Sequence, residues 1–436
     1  MTARRDSFGT DSCVRCGLVV DADSIEARFV RFYQADGDPG RDLLVDFLES
    51  TFIDIPVLVN LIALCVARQA LKQRTFIGMS RHKAVRDLFR VWRFREAFQD
   101  AVGESFESVL VAEDQVYRGE QQTSYSGAGG GIDSLEYDPD WKEGFPSRRN
   151  FFEFNSYVLR GGNTSHVQAG AIPRCEGAHW NGPLIQEVLR SHLPGESPKD
   201  DIARVVIYEA ISNAVRHPSA RVIQAVSRFD RLPVKPPSGT DGATDVLSKI
   251  GHLRICVWDD GDGIVNTLRP LVREGLPFRS VRMPSYMYDK IALQVRDFGG
   301  SFSKVDVLDQ EMDPPRDAPD HLILLASTYP GVSRAVANVV EQVDPFPENR
   351  PQSDGPDRPL DKKAGMGLYA LMRTVLDVYR GSVIIRSGNH LVQFEPSHDT
   401  YSGLYRVRYK AKLTVMPESL VRFRGNLVIV QIPVRQ

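Results

Sequence analysis

The sequence predicts an α+β protein in which helices cover one face of a largely antiparallel sheet, preceded by a smaller α/β unit. Three observations carry this prediction. Some segments repeat apolar residues with helical spacing and others alternate apolar with polar residues, which are the periods of amphipathic helices and half-buried strands. The second half of the chain ends in a succession of strand-like segments. The length of 436 residues allows two or three domains.

The first part of the chain, residues 1–117, alternates strand-like and helix-like segments, which is typical of a small α/β layer. We expect its elements in this order: a strand at 28–33, a helix at 40–49, an extended piece at 51–54, an apolar helix at 57–71, a strand at 74–79 and an amphipathic helix at 81–101.

Polar stretches interrupt the pattern at 118–150, 231–250 and 343–359, and the first has too little apolar content to pack, so it is predicted to be a linker. The last part, 151–436, forms one domain. We expect helices at 180–192, 199–216 and 367–379, strands at 221–228, 252–259, 381–387, 391–395, 404–415 and 426–434, and a long irregular stretch from 264, with a strand-like segment at 321–328.

Composition and charge exclude several classes of protein. A formal charge of −2 gives no global basic field that would attract nucleic acid or an anionic membrane. The most apolar run, 55–67, is shorter than the roughly 20 residues that cross a bilayer. The first residues lack the apolar segment of a signal peptide, and five scattered cysteines indicate a reducing compartment, so we expect a cytoplasmic protein. Cys13 and Cys16 have half the spacing of a zinc site, without a second pair nearby.

The first of three motifs spans 209–217. Glu209 and Asn213 are four residues apart, so on a helix they project from one face, one turn apart. A carboxylate there can accept a proton from an attacking water, and the amide oxygen of Asn213 is a suitable magnesium ligand. Taken alone, the pair is more typical of an exposed polar helix face.

The second motif, 259–263, follows a strand. Asp259 at the strand end can accept a hydrogen bond from the exocyclic amine of a base. Gly261 and Gly263 permit backbone angles and close approach that a Cβ would forbid. Alone, such Asp-Gly repeats are more often turns or calcium loops, although no suitably spaced Glu closes a calcium loop here.

The third motif opens a helix. Gly365 and Gly367, followed by Leu368, expose backbone N–H groups at a helix start, where phosphate is favoured. Lys362 or Lys363 could add a charged contact. A simple loop-to-helix turn explains this motif equally well when it stands alone.

The three motifs in this order resemble those of the GHKL ATPase superfamily, which includes gyrase, heat-shock chaperones, histidine kinases, MutL and anti-sigma kinases. The resemblance covers roughly 165–436 and implies a Bergerat-type two-layer α/β sandwich that binds ATP and Mg²⁺. It implies that Glu209 is the general base, Asn213 the magnesium ligand and Asp259 the adenine contact. The glycines of the second and third motifs would shape the walls of the pocket.

One departure from the superfamily is the region between the second and third motifs. Residues 264–364 form a long lid for this superfamily, and they include a basic, aromatic segment at 279–288. Such a lid would close over nucleotide or receive a partner, and a structural insertion is an equal alternative.

Residues 25–115 resemble a STAS-like domain, the small α/β module of anti-sigma-factor antagonists. In such antagonists a phosphorylatable Ser follows the Asp at a helix start, whereas Ile55 and Pro56 follow Asp54 here. The resemblance therefore implies a docking or sensing role without a phosphorylation switch. A generic α/β domain is the alternative.

Three functions fit these motifs. The first is a magnesium-dependent ATPase whose nucleotide state controls the lid, the domain arrangement and partner binding. The second is an anti-sigma-type kinase that phosphorylates Ser or Thr on a partner, and the third is a nucleotide-regulated binding protein without turnover. Histidine kinase activity is disfavoured, because no suitable phosphoacceptor His or coiled coil precedes the motifs. A protein partner is expected, and the resemblance implies a homodimer.

Overall fold

The chain folds into helices and strands in comparable amounts, as the sequence predicts for an α+β protein. Among the described helices, none combines the length and the apolar character that crossing a bilayer requires. The computed structural model describes residues 4–5, 8, 12–20, 28–29, 42–82, 85–86, 89, 94–111, 151–158, 206, 208–215, 219–230, 250–276, 279, 281–282, 288–332, 341–342, 367–397, 407–417 and 423–435.

Residues before 112 form an N-terminal unit built on three parallel strands in the order β1-β3-β5, with β2 and β4 paired beside them. Helix α1, the longest of its described helices, is buried along most of its length. The Asp54 carboxylate caps it by accepting from the Ile55 N–H at 2.8 Å. The strands are β1 (Cys13–Arg15), β2 (Val19–Val20), β3 (Leu43–Asp46), β4 (Phe52–Ile53) and β5 (Thr75–Gly78), and the helices are α1 (Ile55–Ala70), α2 (Phe94–Val102) and α3 (Phe106–Val109).

Two sequence predictions for this unit are wrong. The helix expected at 40–49 is instead β3, because Leu43–Asp46 is a central parallel strand buried on both faces. Such a strand has a continuous apolar run, which periodicity cannot separate from a buried helix. Arg28 and Phe29, expected in a strand, are helical. The extended piece at 51–54, the helix at 57–71 and the strand at 74–79 are confirmed.

The helix predicted at 81–101 is confirmed over α2, whereas Arg81 and His82 lie in a bend. Cys13 and Cys16 pack in different apolar clusters, Cys13 beside Phe76 and Cys16 with Val45. These clusters lie on opposite faces of the small sheet. Leu44 pairs with Phe76 in one cluster, and the next pair along the strands, Val45 with Ile77, points to the other face. The two thiols therefore do not form half of a zinc site.

The second half of the chain is organised by one nine-stranded sheet in the order β11-β10-β15-β14-β13-β16-β8-β7-β6. All neighbouring strands are antiparallel except β10 and β15. The strands predicted at 221–228, 252–259 and over the C-terminal segments are confirmed. The strands are β6 (Phe151–Val158), β7 (Val222–Asp230), β8 (Ile250–Asp259), β9 (Val281–Arg282), β10 (Lys290–Asp297), β11 (Asp306–Asp309), β12 (Glu341–Gln342), β13 (Ser382–Ser387), β14 (His390–Pro396), β15 (Val407–Val415) and β16 (Asn426–Arg435), of which β9 and β12 pair separately.

Helices cover one face of this sheet and bury a cluster that we call the helix-side core. From the sheet it takes residues such as Ile255, Val257, Val383 and Val430. The helices are α4 (Tyr208–Val215), α5 (Ile264–Glu274), α6 (Asp320–Ala326) and α7 (Gly367–Arg373), the last continuing as a π-helical turn over Thr374–Val378.

The opposite face of the sheet is covered by the N-terminal unit. Cys256 and Trp258 of β8 are buried in one cluster with the apolar residues of α1 and α2. The Arg254 guanidinium, on the same face of β8, donates to the Asp54 carboxylate at the start of α1. The two parts of the chain therefore share one apolar core across this sheet face.

The stretch after 264, expected to be irregular, contains ordered elements of the sheet and its helix layer. Helix α5 packs in the helix-side core, and β10 is a parallel neighbour of β15. The segment 321–328, expected to be strand-like, lies largely in α6, because a short apolar run is compatible with either structure when it is wholly buried. The first part of the predicted lid, 264–332, is therefore largely part of the domain core. Apart from β12, residues 333–366 lie outside the described residues.

Arg279, the first residue of the basic, aromatic segment at 279–288, has a structural role. Arg279 is buried, and its Nε lies 2.5 Å from Asp313 Oδ1. Its guanidinium stacks over the rings of Tyr288 and Tyr329. This arginine ties the segment to the turn after β11 rather than presenting a charge to a partner. The predicted linker at 118–150 and the polar stretches at 231–249 and 343–359 lie outside the described residues.

Candidate functional site

Helix α4 carries the first motif, as the sequence predicts. Ala210, Ile211 and Ala214 are buried in the helix-side core, so this side of α4 faces β7 and β8. Glu209 and Asn213 are half-buried and lie one turn apart on the helix. The apolar residues therefore fix the helix on the sheet and leave the carboxylate and the amide at its margin.

Gly367, at the start of α7, lies directly against both of these polar side chains. A Cβ at position 367 would overlap the Glu209 carboxylate and lie 3.4 Å from Asn213 Oδ1. Only glycine permits this approach without displacing Glu209. Leu368, the next residue, packs against the helix-side core and anchors the start of α7. The first and third motifs, more than 150 residues apart in sequence, thus meet in the fold.

Asp259, from the second motif, lies on the same side of the sheet as these helices. In β8, Leu253, Ile255 and Val257 belong to the helix-side core. Because side chains alternate between faces along a strand, Asp259 continues this series. Its side chain is buried at the strand end. All three motifs therefore contribute to the helix-covered face of the sheet.

The Asp259 carboxylate is held by donors from two residues, Gly261 and Asn426. The Gly261 N–H donates to Oδ1 at 2.9 Å, and the Asn426 side-chain amide donates to Oδ2 at 3.1 Å. Burial raises the pKa of Asp259 to about 7, against the effect of these hydrogen bonds. The Asn426 backbone N–H is a third donor to this carboxylate. A carboxylate offers about four acceptor positions, so these three donors from the described residues leave room for one more.

Two residues that the sequence did not suggest complete this end of the sheet. Ser387, Asn426 and Asp259 are direct partners across the adjacent strands β13, β16 and β8, and all three are buried. Asn426 Oδ1 accepts from the Ile264 N–H at 2.7 Å, and Ser387 Oγ accepts from the Val265 N–H at 3.4 Å. Both side chains therefore satisfy backbone groups at the start of α5. For Asn426, the signal available in the sequence was a polar residue at the start of a strand, directly after Gly425.

The other acidic residues of the second motif have different surroundings. Asp260 is buried, and its Oδ1 accepts from the N–H groups of Arg221 and Val222 at 2.6 and 2.9 Å. This residue fixes the start of β7 and is structural. Asp262 is exposed, and the Gly263 backbone adopts a φ of +88° where the turn enters α5.

Helix α7 is held in place by a balanced set of charges on its other side. Arg373 contacts Asp289 at 3.2 Å and Asp377 at 2.7 Å, and Arg408 of β15 contacts the same two carboxylates. Tyr409 donates to Asp377 at 3.1 Å. The network joins α7 to the starts of β10 and β15, and so fixes the helix that places Gly367 against Glu209.

The remaining predicted site residues, Lys362, Lys363 and Gly365, lie outside the described residues. Within the part of the chain that is described, no group of three or more His, Cys, Asp or Glu side chains is arranged to hold a metal ion. Comparison of the chain with protein-family models, with curated proteins and with solved structures finds no match.

Proposed function

We propose that this chain binds ATP with Mg²⁺ on the helix-covered face of the sheet and hydrolyses it, with the Bergerat-type two-layer arrangement of the GHKL superfamily. The observation that carries the proposal is the contact of Gly367 with Glu209 and Asn213. Three short motifs that are individually common are here joined by one fold, two of them in contact and the third on the same sheet face. If the three motifs occurred in the sequence by chance, there would be no reason for them to lie together in the fold.

The environment of Asp259 fits the exocyclic amine of adenine. This carboxylate is buried, and among the described residues the Gly261 and Asn426 donors occupy three of its about four acceptor positions. A buried acceptor with unused capacity favours a ligand that brings a donor, because an unsatisfied polar group in a buried site costs free energy. An amine on the base supplies that donor, and a base with a carbonyl at the same position does not.

The oxygen atoms around Gly367 fit a magnesium ion that also binds phosphate. Mg²⁺ prefers oxygen ligands and usually takes only one or two from the protein, with the rest from water and phosphate. Asn213 Oδ1 would be the protein ligand, and Glu209 lies beside it on the same helix. The bound ion would neutralise charge on the phosphate oxygens.

Glu209 is the general base in this proposal. Its carboxylate is half-buried at the start of α7, where it can hold a water molecule and accept its proton as the water attacks. Asn213 and Asp259 orient the two ends of the nucleotide. We further propose that the nucleotide state controls the binding of a protein partner.

The N-terminal unit is STAS-like in this proposal and has a docking role. Asp54, the position that precedes the phosphorylatable Ser of such antagonists, is buried and pairs with Arg254 of the nine-stranded sheet. Three parallel strands with α1 between β3 and β5 support the resemblance. In this proposal α1 docks on the nine-stranded sheet of the same chain, where it packs against Cys256 and Trp258.

Incubation with γ-labelled ATP and Mg²⁺, with and without proteins encoded beside this one, tests the proposal. Release of free phosphate by the protein alone supports ATP hydrolysis. Transfer of label to Ser or Thr of a partner identifies a kinase instead, and binding without either product identifies a nucleotide-regulated binding protein. Absence of ATP binding in calorimetry with the full chain overturns the proposal.

A further inference from the structure

Strand β8 has two faces with different roles. Ile255, Val257 and Asp259 point to the helices and the proposed nucleotide site, whereas Cys256 and Trp258 point to the N-terminal unit. Trp258 is fully buried and is the largest fully buried side chain among the described residues. The residue that follows it along the strand is Asp259. A shift of Trp258 on the face toward the N-terminal unit would thus act on the residue next to Asp259, which faces the proposed nucleotide site.

The Trp258 indole also makes a specific polar contact. Its Nε1–H donates to the Arg424 carbonyl at 3.0 Å. Beside it, the Arg386 guanidinium lies over the Phe423 ring, 4.0 Å from the ring centroid. An indole has one donor, and a buried indole N–H that loses its acceptor is costly. The indole therefore holds the turn that precedes β16.

The turn held by Trp258 leads directly to Asn426. Gly425 has a φ of +77°, and a Cβ there would overlap the Asp259 carbonyl. Only glycine therefore permits the backbone to pass this close to β8. Asn426 follows at once, with Nδ2 on the Asp259 carboxylate and Oδ1 on the Ile264 N–H. The position of the turn therefore sets where the Asn426 amide, and hence the Asp259 carboxylate, is held.

The N-terminal unit packs on this same set of side chains. Trp258 is in one buried cluster with α1 and α2, and Phe423 packs against that cluster. The Asp54–Arg254 ion pair joins α1 to the same face of β8. The indole is thus in contact with the N-terminal unit's core through its ring and with the 424–426 turn through its N–H.

We propose that Trp258 is a positioning residue that couples the packing of the N-terminal unit to Asp259 through the 424–426 turn. The proposal rests on the proposed function in one respect, that Asp259 recognises the amine of adenine. In this arrangement the N-terminal unit regulates base recognition without contacting the nucleotide. Anything that changes the packing of α1 on β8 changes how the Asp259 carboxylate is presented.

Trp258→Phe in the full chain tests this directly, because it keeps an aromatic ring and removes the N–H. The readout is the affinity for ATP and for ITP, in which a carbonyl replaces the exocyclic amine. We expect ATP affinity to fall about fivefold and ITP affinity to change much less, so the preference for ATP shrinks. A purely structural role for Trp258 would weaken both nucleotides equally and would overturn the proposal.

Cys256→Ala is the matched control. Cys256 lies on the same face of the same strand and in the same cluster, but its partner across the strands is Ile429, beyond the 424–426 turn. It should lower thermal stability while leaving the ratio of ATP to ITP affinity at the wild-type value. A similar fall in that ratio for both variants overturns the specific role of the indole.

A second measurement is independent of nucleotide. Hydrogen exchange of the Ile264 amide, which donates to Asn426 Oδ1, should quicken in Trp258→Phe and stay unchanged in Cys256→Ala. Unchanged exchange in Trp258→Phe overturns the proposal even if nucleotide binding fails for another reason. If the wild-type chain binds neither nucleotide, the proposed function fails. The exchange measurement still tests whether Trp258 positions Asn426 through the 424–426 turn.

The coupling to the N-terminal unit is tested by Arg254→Met, which removes the ion pair with Asp54 but keeps the side-chain stem. We expect it to shift the ATP to ITP ratio in the same direction as Trp258→Phe. Combined in one chain, the two changes should have less than additive effects, because either change alone already uncouples the N-terminal unit from Asp259. Fully additive effects would mean that the two residues act separately, and would refute the coupling.

Discussion

Gly367 lies so close to Glu209 that a single added methyl group would overlap the carboxylate. This contact joins a helix start to the residue proposed as general base. Because the network of Arg373, Asp377 and their partners fixes α7 from its other side, the helix has little freedom to retreat. The position of Glu209 is therefore sensitive to the size of the residue at 367.

Gly367→Ala should lower the rate of phosphate release by more than about tenfold, because the added Cβ displaces the Glu209 carboxylate. Phosphate release and thermal unfolding should be measured together. Gly299→Ala is the matched control, since a Cβ at 299 has no neighbour within 4 Å although the φ of +79° is strained. It should cost stability and leave turnover unchanged, and an equal loss of turnover in both variants would contradict the site.

Glu209→Gln should keep ATP binding and lose phosphate release by about a hundredfold or more, because the amide cannot accept the proton of the attacking water. Calorimetry with ATP and single-turnover phosphate release separate the two effects. Turnover that persists in this variant would show that the general base is another residue.

Asp259→Asn and Asp260→Asn should have opposite consequences although the two residues are adjacent. In the proposed site Asp259 provides the acceptor for the base, so its amide variant should abolish ATP binding in calorimetry. Asp260 holds the N–H groups of Arg221 and Val222, so its variant should cost about 1–3 kcal/mol of stability. At about pH 8.5, where the Asp259 carboxylate is ionised with or without the neighbouring Asp260 charge, the affinity for ATP should be unchanged. Unchanged affinity in Asp259→Asn would refute the pocket assignment.

ATP affinity should increase with pH through neutrality. The pKa of Asp259 is raised to about 7 by burial, so below this pH the carboxyl group is largely protonated and one of its oxygens is occupied. Affinity should rise about tenfold between pH 6 and pH 8, and level off once the carboxylate is ionised. The rise should persist in Glu209→Gln, and an affinity that is flat across this range would contradict the role of Asp259.

Acid should destabilise the fold through His321 and His390, whose ring centroids are 6.5 Å apart. Burial lowers the pKa of both below the ordinary value of 6.5, while the Asp320 carboxylate opposes this and Arg269 reinforces it for His390. The unfolded chain therefore takes up protons first as the pH falls. Stability should be complete above about pH 7 and decline as the pH falls below 6.5.

Urea unfolding at pH 7.5 and pH 5.5 measures this effect. His390→Gln should reduce the loss of stability at the lower pH, because one of the two buried imidazoles is gone. His82→Gln, at an exposed position, is the matched control. An equal pH dependence in the wild type and in His390→Gln would exclude a contribution from the pair.

The parts of the fold that periodicity could predict are the half-buried elements. The strands β13, β14 and β15 alternate buried with half-buried residues over much of their length, and their bounds were predicted closely. Segments that are buried on all sides carry no such alternation, and for that reason β3 and α6 were assigned to the wrong class.

The site was predictable where chemistry and spacing lie close together in the chain. Glu209 and Asn213 share a helix, so their proximity follows from the helical repeat. The contributions of Asn426 and Ser387 depend on which strands are neighbours and in which register, and these follow only from the folded sheet. The distinction between Asp259 and Asp260 likewise depends on which face each side chain takes at the end of β8.

The apolar face that β8 and β16 present to α1 and α2 sets a limit on how this protein can be dissected. A fragment that begins at 151 would expose this face to water, and contiguous exposed apolar surface promotes aggregation. The second half of the chain would have to be produced together with the first hundred or so residues, and mutations in α1 would alter the yield and stability of the nine-stranded sheet on which it packs.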